Sequence, residues 1–94
     1  MVSLLAQSLA ELFGTCIFFL TIWGVGQGYA IAVGLFVAIL IFGPVSGGHF
    51  NSAISAVKLI TGEMAGTAAG AYIMAQLIGG LLAVFISKNL LVKQ

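Results

Sequence analysis

Three long apolar stretches, at about residues 4–25, 29–43 and 66–87, constrain this chain more than any other feature of its sequence. A helix needs about 20 mostly apolar residues to cross the hydrocarbon core of a bilayer. Only 5% of the 94 residues are charged and 62% are hydrophobic, whereas about 25% of the residues of a soluble domain are charged. The sequence therefore predicts an all-α integral membrane protein, with three transmembrane helices in a single domain over residues 1–94.

The few charged and reactive residues exclude several classes of function. The charged residues are Lys58, Lys88, Lys93, Glu11 and Glu63, with a net charge of +1. This charge supports neither nucleic-acid binding nor a polybasic lipid anchor. The sequence contains no set of nucleophile, base and acid, so we expect no enzymatic activity and no cofactor. The single cysteine, Cys16, is expected to pack as a small hydrophobic residue within the first apolar stretch.

One polar interruption lies between the second and third apolar stretches. It follows Pro44 and reads Ser-Gly-Gly-His-Phe-Asn-Ser-Ala-Ile-Ser at positions 46–55. Irregular polar backbone at membrane depth is tolerated only where protein covers it or where it lines a water-filled cavity. Residues 52–60 would form a helix of roughly 14 Å, half the hydrocarbon thickness. The sequence thus predicts a re-entrant loop and a half-helix at about residues 46–60, and we expect Gly43 and Pro44 to end the helix before it.

Asn51, at the start of this half-helix, is a candidate binding residue. Asparagine is among the best N-caps, because its side-chain oxygen accepts a hydrogen bond from an unpaired backbone N–H group. Its amide N–H₂ group is then free to donate to a passing oxygen atom, and the helix N-terminus adds partial positive charge. Carbonyl groups of Gly47, Gly48 and His49 would supply acceptors. Such a site favours neutral solutes that carry oxygen and repels cations, protons included.

His49 and Glu11 are the titratable residues with the clearest candidate roles. No second ligand of suitable type lies near His49, so we expect a hydrogen-bonding loop histidine and no metal site. A carboxylate about seven residues into a span costs about 2.5–3.5 kcal/mol on insertion scales. Glu11 either reaches for the headgroups or faces inward and accepts hydrogen bonds from the glycine loop. Its place on a stripe with Gln7 and Gly14 favours the inward alternative, in which Glu11 anchors the loop.

Small and polar residues form stripes along the spans at steps of three and four residues, which places each stripe on one helix face. The stripes are Gln7, Glu11, Gly14 and Phe18 in the first span, Ala30, Gly34 and Ala38 in the second, and Ala69, Tyr72, Gln76, Gly80, Ala83 and Ser87 in the third. Membrane helices approach closely along such faces. We therefore expect Gln76 and Gly80 to pack between helices, and Gly62, Gly66 and Gly70 to extend the same pattern.

Residues 46–55 resemble the first signature loop of the aquaporin and glycerol-facilitator (major intrinsic protein) family, roughly Ser-Gly-x-His-x-Asn-Pro-Ala-Val-Ser/Thr. The run Ala-Glu-Leu-Phe-Gly-Thr at 10–15 resembles the start of the family's first helix, and Ala-Gln-Leu-Ile-Gly-Gly at 75–80 resembles its third helix. The resemblance covers nearly the whole chain and implies an aquaporin-like half repeat. In the family, two inverted halves each contribute a half-helix, and two Asn-Pro-Ala corners meet near the bilayer centre.

The resemblance also implies roles for residues of the corner. Asn51 would be the pore asparagine, Ser52 and Ala53 would complete the corner, and Glu11 would be the loop anchor. The corner departs from the family pattern, because it reads Asn-Ser-Ala and not Asn-Pro-Ala. Proline at the first helical position is preorganised for the helix, whereas Ser52 brings a hydroxyl and a backbone donor. We expect the family fold to tolerate this change.

Two isoleucines would belong to the selectivity constriction that the resemblance implies. Ile31 falls at the second-helix position of the constriction, where strict water channels usually carry an aromatic residue. Ile54 would replace the family's constriction arginine on both sides of a dimer of two such halves. The resemblance therefore implies a wider or more apolar constriction, with weaker discrimination against larger neutral solutes.

The implied function is passive transport of water or small neutral solutes across a lipid bilayer. The sequence corresponds to the first of two halves, so we expect a homo-oligomer, such as an antiparallel dimer, or a full-length channel as partner. Lys58 lies at one end of the spans and Lys88 and Lys93 at the other, so the charge pattern enforces no single topology. The alternative is a non-conducting, truncated relative or a helical partner of full-length channels. We expect an integral, multi-pass protein of the cell or plasma membrane.

Overall fold

The computed structural model describes residues 2–91, and Lys93, which entered the topology argument, lies outside them. The elements in chain order are α1 (Leu4–Leu20), a π-helical turn (Thr21–Val25), α2 (Gly28–Ser46), α3 (Ser52–Ile60) and α4 (Gly66–Asn89). Three helices are long and apolar enough to cross a membrane: α1 with its π-helical turn, α2 and α4. The all-α membrane fold predicted from the sequence is therefore confirmed. α3 has nine residues, the length of a half-helix.

Parallel packing of α1 against α4 forms the centre of the fold. A Cβ atom on Gly79 of α4 would overlap the carbonyl group of Leu12, so only glycine allows the two backbones to approach this closely. Further along both helices, a Cβ atom on Gly24 would lie 3.2 Å from the side chain of Leu91. The stripe residues on α4 are all buried: Ala69, Tyr72, Gln76, Gly80, Ala83 and Ser87.

α2 returns antiparallel to α1 and ends later than the sequence predicted. Pro44 was expected to stop this helix, but the helix continues through Pro44 to Ser46. A proline in the last turn removes only one donor, and the next turn still closes, since the Gly47 N–H donates to the Gly43 carbonyl at 2.7 Å. Gly47 then ends α2 with a φ of 94°, a left-handed conformation typical of glycine after a helix.

One expectation about glycines was wrong. Gly62, Gly66 and Gly70 were expected to continue a packing stripe, but a Cβ atom on any of them would have no neighbour within 4 Å. These three glycines therefore face away from the other elements of the described chain. Between α1 and α2 the chain stays helical through the π-helical turn, and Gly26 then reverses it with a φ of 78° in a short exposed turn.

α3 lies beside α4 and runs in the opposite direction. The chain covers the gap between Ile60 and Gly66 in five residues, so the end of α3 lies next to the beginning of α4. The start of α3 reaches the middle of α4, because Ser52 hydrogen-bonds to Gln76. α3 therefore lies beside only the first half of α4, and the groove between α1 and the second half of α4 stays open.

Candidate functional site

The loop that leads into α3 owes its shape to three residues with left-handed backbone. Gly47 and Gly48 have φ values of 94° and 67°, which glycine adopts without steric cost. Phe50 has a φ of 52°, which is unfavourable for a residue with a side chain. Its ring is only 1% exposed, and it occupies the space that a Cβ atom on Gly14 of α1 would need. Burial of the Phe50 ring thus stabilises the turn.

Glu11 connects this loop to three helices. Its side chain is fully buried, at 0% exposure. Oε2 accepts hydrogen bonds from the Ser46 hydroxyl at 2.6 Å and the His49 N–H at 3.0 Å. Oε1 accepts from the Phe50 N–H at 2.8 Å and the Gln76 side-chain amide at 3.0 Å. Because an ionised carboxylate only accepts hydrogen bonds and has about four lone-pair sites, these donors match it well. Glu11 faces inward and does not reach for headgroups.

A second set of contacts joins the loop to α3 and α4. Nδ1 of His49 lies 2.8 Å from the Ser55 hydroxyl, which also accepts a hydrogen bond from the Gln76 amide at 2.9 Å. The Tyr72 hydroxyl donates to the Ser46 carbonyl at 2.6 Å, and the Tyr72 and His49 rings lie 4.8 Å apart. His49 is thus a buried hydrogen-bonding residue. Within residues 2–91 no cluster of His, Cys, Asp and Glu is arranged to hold a metal ion.

Sequence reasoning assigned no role to three residues of this network. Ser46 and Ser55 were noticed only as polar residues of the interruption, and Tyr72 only as a member of a packing stripe. Their spacing held a signal, since Tyr72 lies one turn before Gln76 and Ser55 lies one turn after Asn51. This spacing places Tyr72 on the same helix face as Gln76, and Ser55 one helical turn from Asn51. It gives no such signal for Ser46.

Asn51 caps α3. Its backbone is extended, with a φ of −159°, and its side-chain oxygen accepts a hydrogen bond from the Ala53 N–H at 2.8 Å. Its carbonyl accepts from the N–H groups of Ile54 and Ser55 at 3.1 and 3.3 Å. Within residues 2–91 the amide N–H₂ group of Asn51 donates no hydrogen bond. The exposed Asn51 side chain can therefore donate at the positive end of α3.

A cavity of about 560 Å³ opens at this corner, in the open groove between α1 and the second half of α4. Asn51 and Ser52 form its polar end, and its walls are mostly apolar, with Phe18 on α1 and Leu81 on α4 among them. Thr15 also lines the cavity. This residue is 1% exposed, and its hydroxyl has no hydrogen-bond partner in the described part of the chain.

The two candidate constriction residues lie apart from this cavity. Ile31 is in the first turn of α2 and Ile54 in the first turn of α3, and neither lines the cavity at Asn51. Ile54 is 43% exposed and, with Ala53, it borders a second cavity of about 410 Å³ on the opposite side of the corner. The described chain does not assemble a constriction from Ile31 and Ile54, so their role stays a prediction.

An ion pair lies at the rim of this second cavity. Nζ of Lys58 lies 3.6 Å from Oε1 of Glu63, and both side chains are exposed. The Thr61 hydroxyl donates to Oε2 of Glu63 at 2.7 Å. This hydrogen bond and, after it, the charge of Lys58 hold the pKa of the Glu63 carboxyl below its usual range. The pair is solvated, so we assign it no part in the corner.

Comparisons with known proteins agree on the kind of protein. The sequence model of the family described as "Major intrinsic protein" matches residues 1–94, the whole chain. A curated relative from Lactiplantibacillus plantarum, "Glycerol uptake facilitator protein-like 6", is 37% identical over 86 residues, which cover 80% of this chain and 39% of the relative. The chain thus spans well under half the length of that relative. No solved structure matches it.

Proposed function

This chain belongs to the major intrinsic protein family, and from that membership we propose that it is a subunit of a channel for water or small neutral solutes. It is an integral, multi-pass membrane protein. The observation that carries the proposal is the corner at Asn51. There, an exposed amide donor lies at the positive end of a half-helix and at the mouth of a cavity. A solute of the size and chemistry of water or glycerol can accept hydrogen bonds from such a corner.

The rigid support of the corner favours a binding role over a purely structural one. Glu11 accepts hydrogen bonds from the N–H groups of His49 and Phe50. The carbonyl groups of the loop therefore remain available to a solute. A structural loop at membrane depth would need cover on all sides. Here Asn51 is exposed and next to a cavity. The arrangement suits a water-lined path better than a packed core.

The open groove between α1 and the second half of α4 supports assembly with a second copy. α3 covers about 14 Å of a membrane span of about 30 Å, and the cavity occupies the rest of the groove between α1 and α4. A second copy in the opposite orientation would place its own α3 there, and the two corners would meet. The Thr15 hydroxyl, which is buried and has no partner within residues 2–91, would then find a polar backbone group to bind.

Conduction is tested directly by stopped-flow shrinkage of proteoliposomes. We expect vesicles that contain the chain to shrink faster than empty vesicles under a sucrose gradient, and to re-swell faster when glycerol is the osmolyte. The activation energy for water should fall toward that of diffusion through a pore. If vesicles with a verified content of the chain are no more permeable than empty vesicles, the alternative that the chain does not conduct is supported.

The second copy is tested by cross-linking α3 of one copy to the groove of another. Val57 lies five residues down α3 from Ser52, and Val84 lies eight residues up α4 from Gln76. At 1.5 Å per residue and in opposite directions, the two positions within one chain are roughly 20 Å apart along the membrane normal. A short bifunctional maleimide of about 8 Å cannot join them within one chain.

We therefore expect the Val57→Cys, Val84→Cys variant, made in a Cys16→Ser background, to yield a cross-linked dimer in liposomes. The two single-cysteine variants serve as matched controls and should give much less dimer. Because the cross-link requires opposite orientations, it reports an antiparallel pair. A double variant that stays monomeric, while both of its cysteines are labelled by monofunctional maleimide, would rule out this arrangement.

A further inference from the structure

We propose that Ser52 is a positioning residue of the corner, which acts through Gln76 and sets the selectivity between small and larger solutes. The inference rests on the proposed channel function and gives Ser52 a role beyond the place in the corner that the resemblance implies for it. Ser52 stands where the family pattern has proline, and it lies next to Asn51 in the chain. It is also the first residue of α3. The position of Ser52 therefore affects the distance between Asn51 and α4.

The contact that carries the inference joins α3 to α4. The Ser52 hydroxyl donates to Oε1 of Gln76 at 3.2 Å. The nitrogen of the same amide donates to Glu11 at 3.0 Å and to Ser55 at 2.9 Å. An amide side chain has an oxygen acceptor and two N–H donors, so Ser52 supplies the donor on the oxygen side. Without its hydroxyl, the oxygen of Gln76, a residue only 4% exposed, would lose its donor.

Serine and proline hold such a corner in different ways. A proline at the first helical position fixes φ by its ring and makes no hydrogen bond. Ser52 leaves φ free and links the corner to α4 by one hydrogen bond. Gln76 also donates to Ser55 one turn further along α3, but the Ser52 bond is the one at the corner itself, and it contributes to the distance between the corner and the wall formed by α4. Because Ser52 and Gln76 both line the cavity at Asn51, a change in that distance alters the width of the path.

Three variants separate the hydroxyl of Ser52 from its backbone N–H group. Ser52→Thr keeps both groups, Ser52→Ala removes only the hydroxyl, and Ser52→Pro removes both. We expect Ser52→Thr to retain the wild-type ratio of glycerol to water permeability. Ser52→Ala and Ser52→Pro should raise this ratio by about threefold or more, on the scale of one hydrogen bond. A variant that only folded less well would lower both permeabilities together and leave their ratio unchanged.

A second measurement does not depend on conduction. In micelles, the ¹⁵N side-chain amide resonances of Gln76, assigned with Gln76→Met, should shift in Ser52→Ala and stay near the wild-type position in Ser52→Thr. Dependence on Gln76 is tested in a Gln76→Met background, where Ser52→Ala should cause no further change in the permeability ratio. An unshifted Gln76 signal in Ser52→Ala, or an unchanged ratio in a conducting channel, would overturn the inference. If the wild type does not conduct while the signal shifts, the Ser52–Gln76 link stands and the proposed function fails.

Discussion

Replacing Glu11 with glutamine should destabilise the protein more than any other isosteric change in the chain. The variant replaces one carboxylate oxygen with an N–H₂ group, which cannot accept hydrogen bonds from its two neighbouring donors. These are the Ser46 hydroxyl and the His49 N–H, or the Phe50 N–H and the Gln76 amide, according to the orientation of the new side chain. Because the site is fully buried, water cannot compensate. We expect a loss on the order of 3 kcal/mol in unfolding free energy.

The measurement is unfolding in mixed micelles titrated with SDS, followed by Trp23 fluorescence and circular dichroism. Glu63→Gln is the matched control, since Glu63 is the other acidic residue and lies exposed beside Lys58. It should leave the transition nearly unchanged. A similar small effect for both variants would show that Glu11 does not hold the loop, and the anchoring role would have to be abandoned.

Replacing Asn51 with leucine should reduce the permeability of proteoliposomes to that of empty vesicles. Leucine removes both functions of the side chain, the cap on the Ala53 N–H and the exposed amide donor, and it adds an apolar group at the polar end of the cavity. Loss of the cap costs about 1 kcal/mol of helix stability, too little to unfold the protein. The loss of permeability would therefore come from the corner itself.

Asn51→Ser distinguishes the two functions of the asparagine. Serine is an N-cap of similar quality, so α3 should be retained, whereas the two N–H donors of the amide are replaced by a single hydroxyl on a shorter side chain. We expect the unfolding transition to stay within about 0.5 kcal/mol of the wild type and the water permeability to fall severalfold. Wild-type permeability in both Asn51 variants would mean that solute does not pass this corner. The channel would then have to conduct along another path.

The sequence predicted the loop and half-helix because their signals are local. Two adjacent glycines, an N-capping asparagine and a short apolar segment each limit the backbone within a few residues. The buried face of α4 could be predicted equally well, because a stripe of small and polar residues at steps of three and four can be recognised without knowing the partner helix. These features depend on covalent geometry and on helix periodicity alone.

The partners within the hydrogen-bond network of Glu11 and Gln76 could not be predicted in this way. Whether Gln76 meets Glu11, Ser52 or Ser55 depends on how far α4 slides along α1, and that register is set by contacts such as Gly79 against Leu12. The prediction that α2 ends at Pro44 was wrong for a related reason. Proline lowers the stability of a helix, but a helix that is nearly complete can lose one hydrogen bond and continue.

The left-handed conformation of Phe50 was also beyond sequence reasoning. Phenylalanine is a poor residue for positive φ, and nothing adjacent in the chain indicates that it adopts one. The reason lies on another helix, where Gly14 leaves room for the ring. The two residues are far apart in sequence, so only the packed structure reveals that they depend on each other.

The set of hydrogen bonds around Glu11 has a consequence for the history of such proteins. The loop N–H groups of His49 and Phe50 find their acceptor on α1 of the same chain. A segment with this property can be duplicated, fused to a copy or separated again without leaving those groups unpaired. Apolar faces can then adapt to a new neighbour through gradual substitution. The loop therefore keeps its acceptor wherever α1 of the same chain accompanies it, whatever neighbours the outer faces of the helices meet.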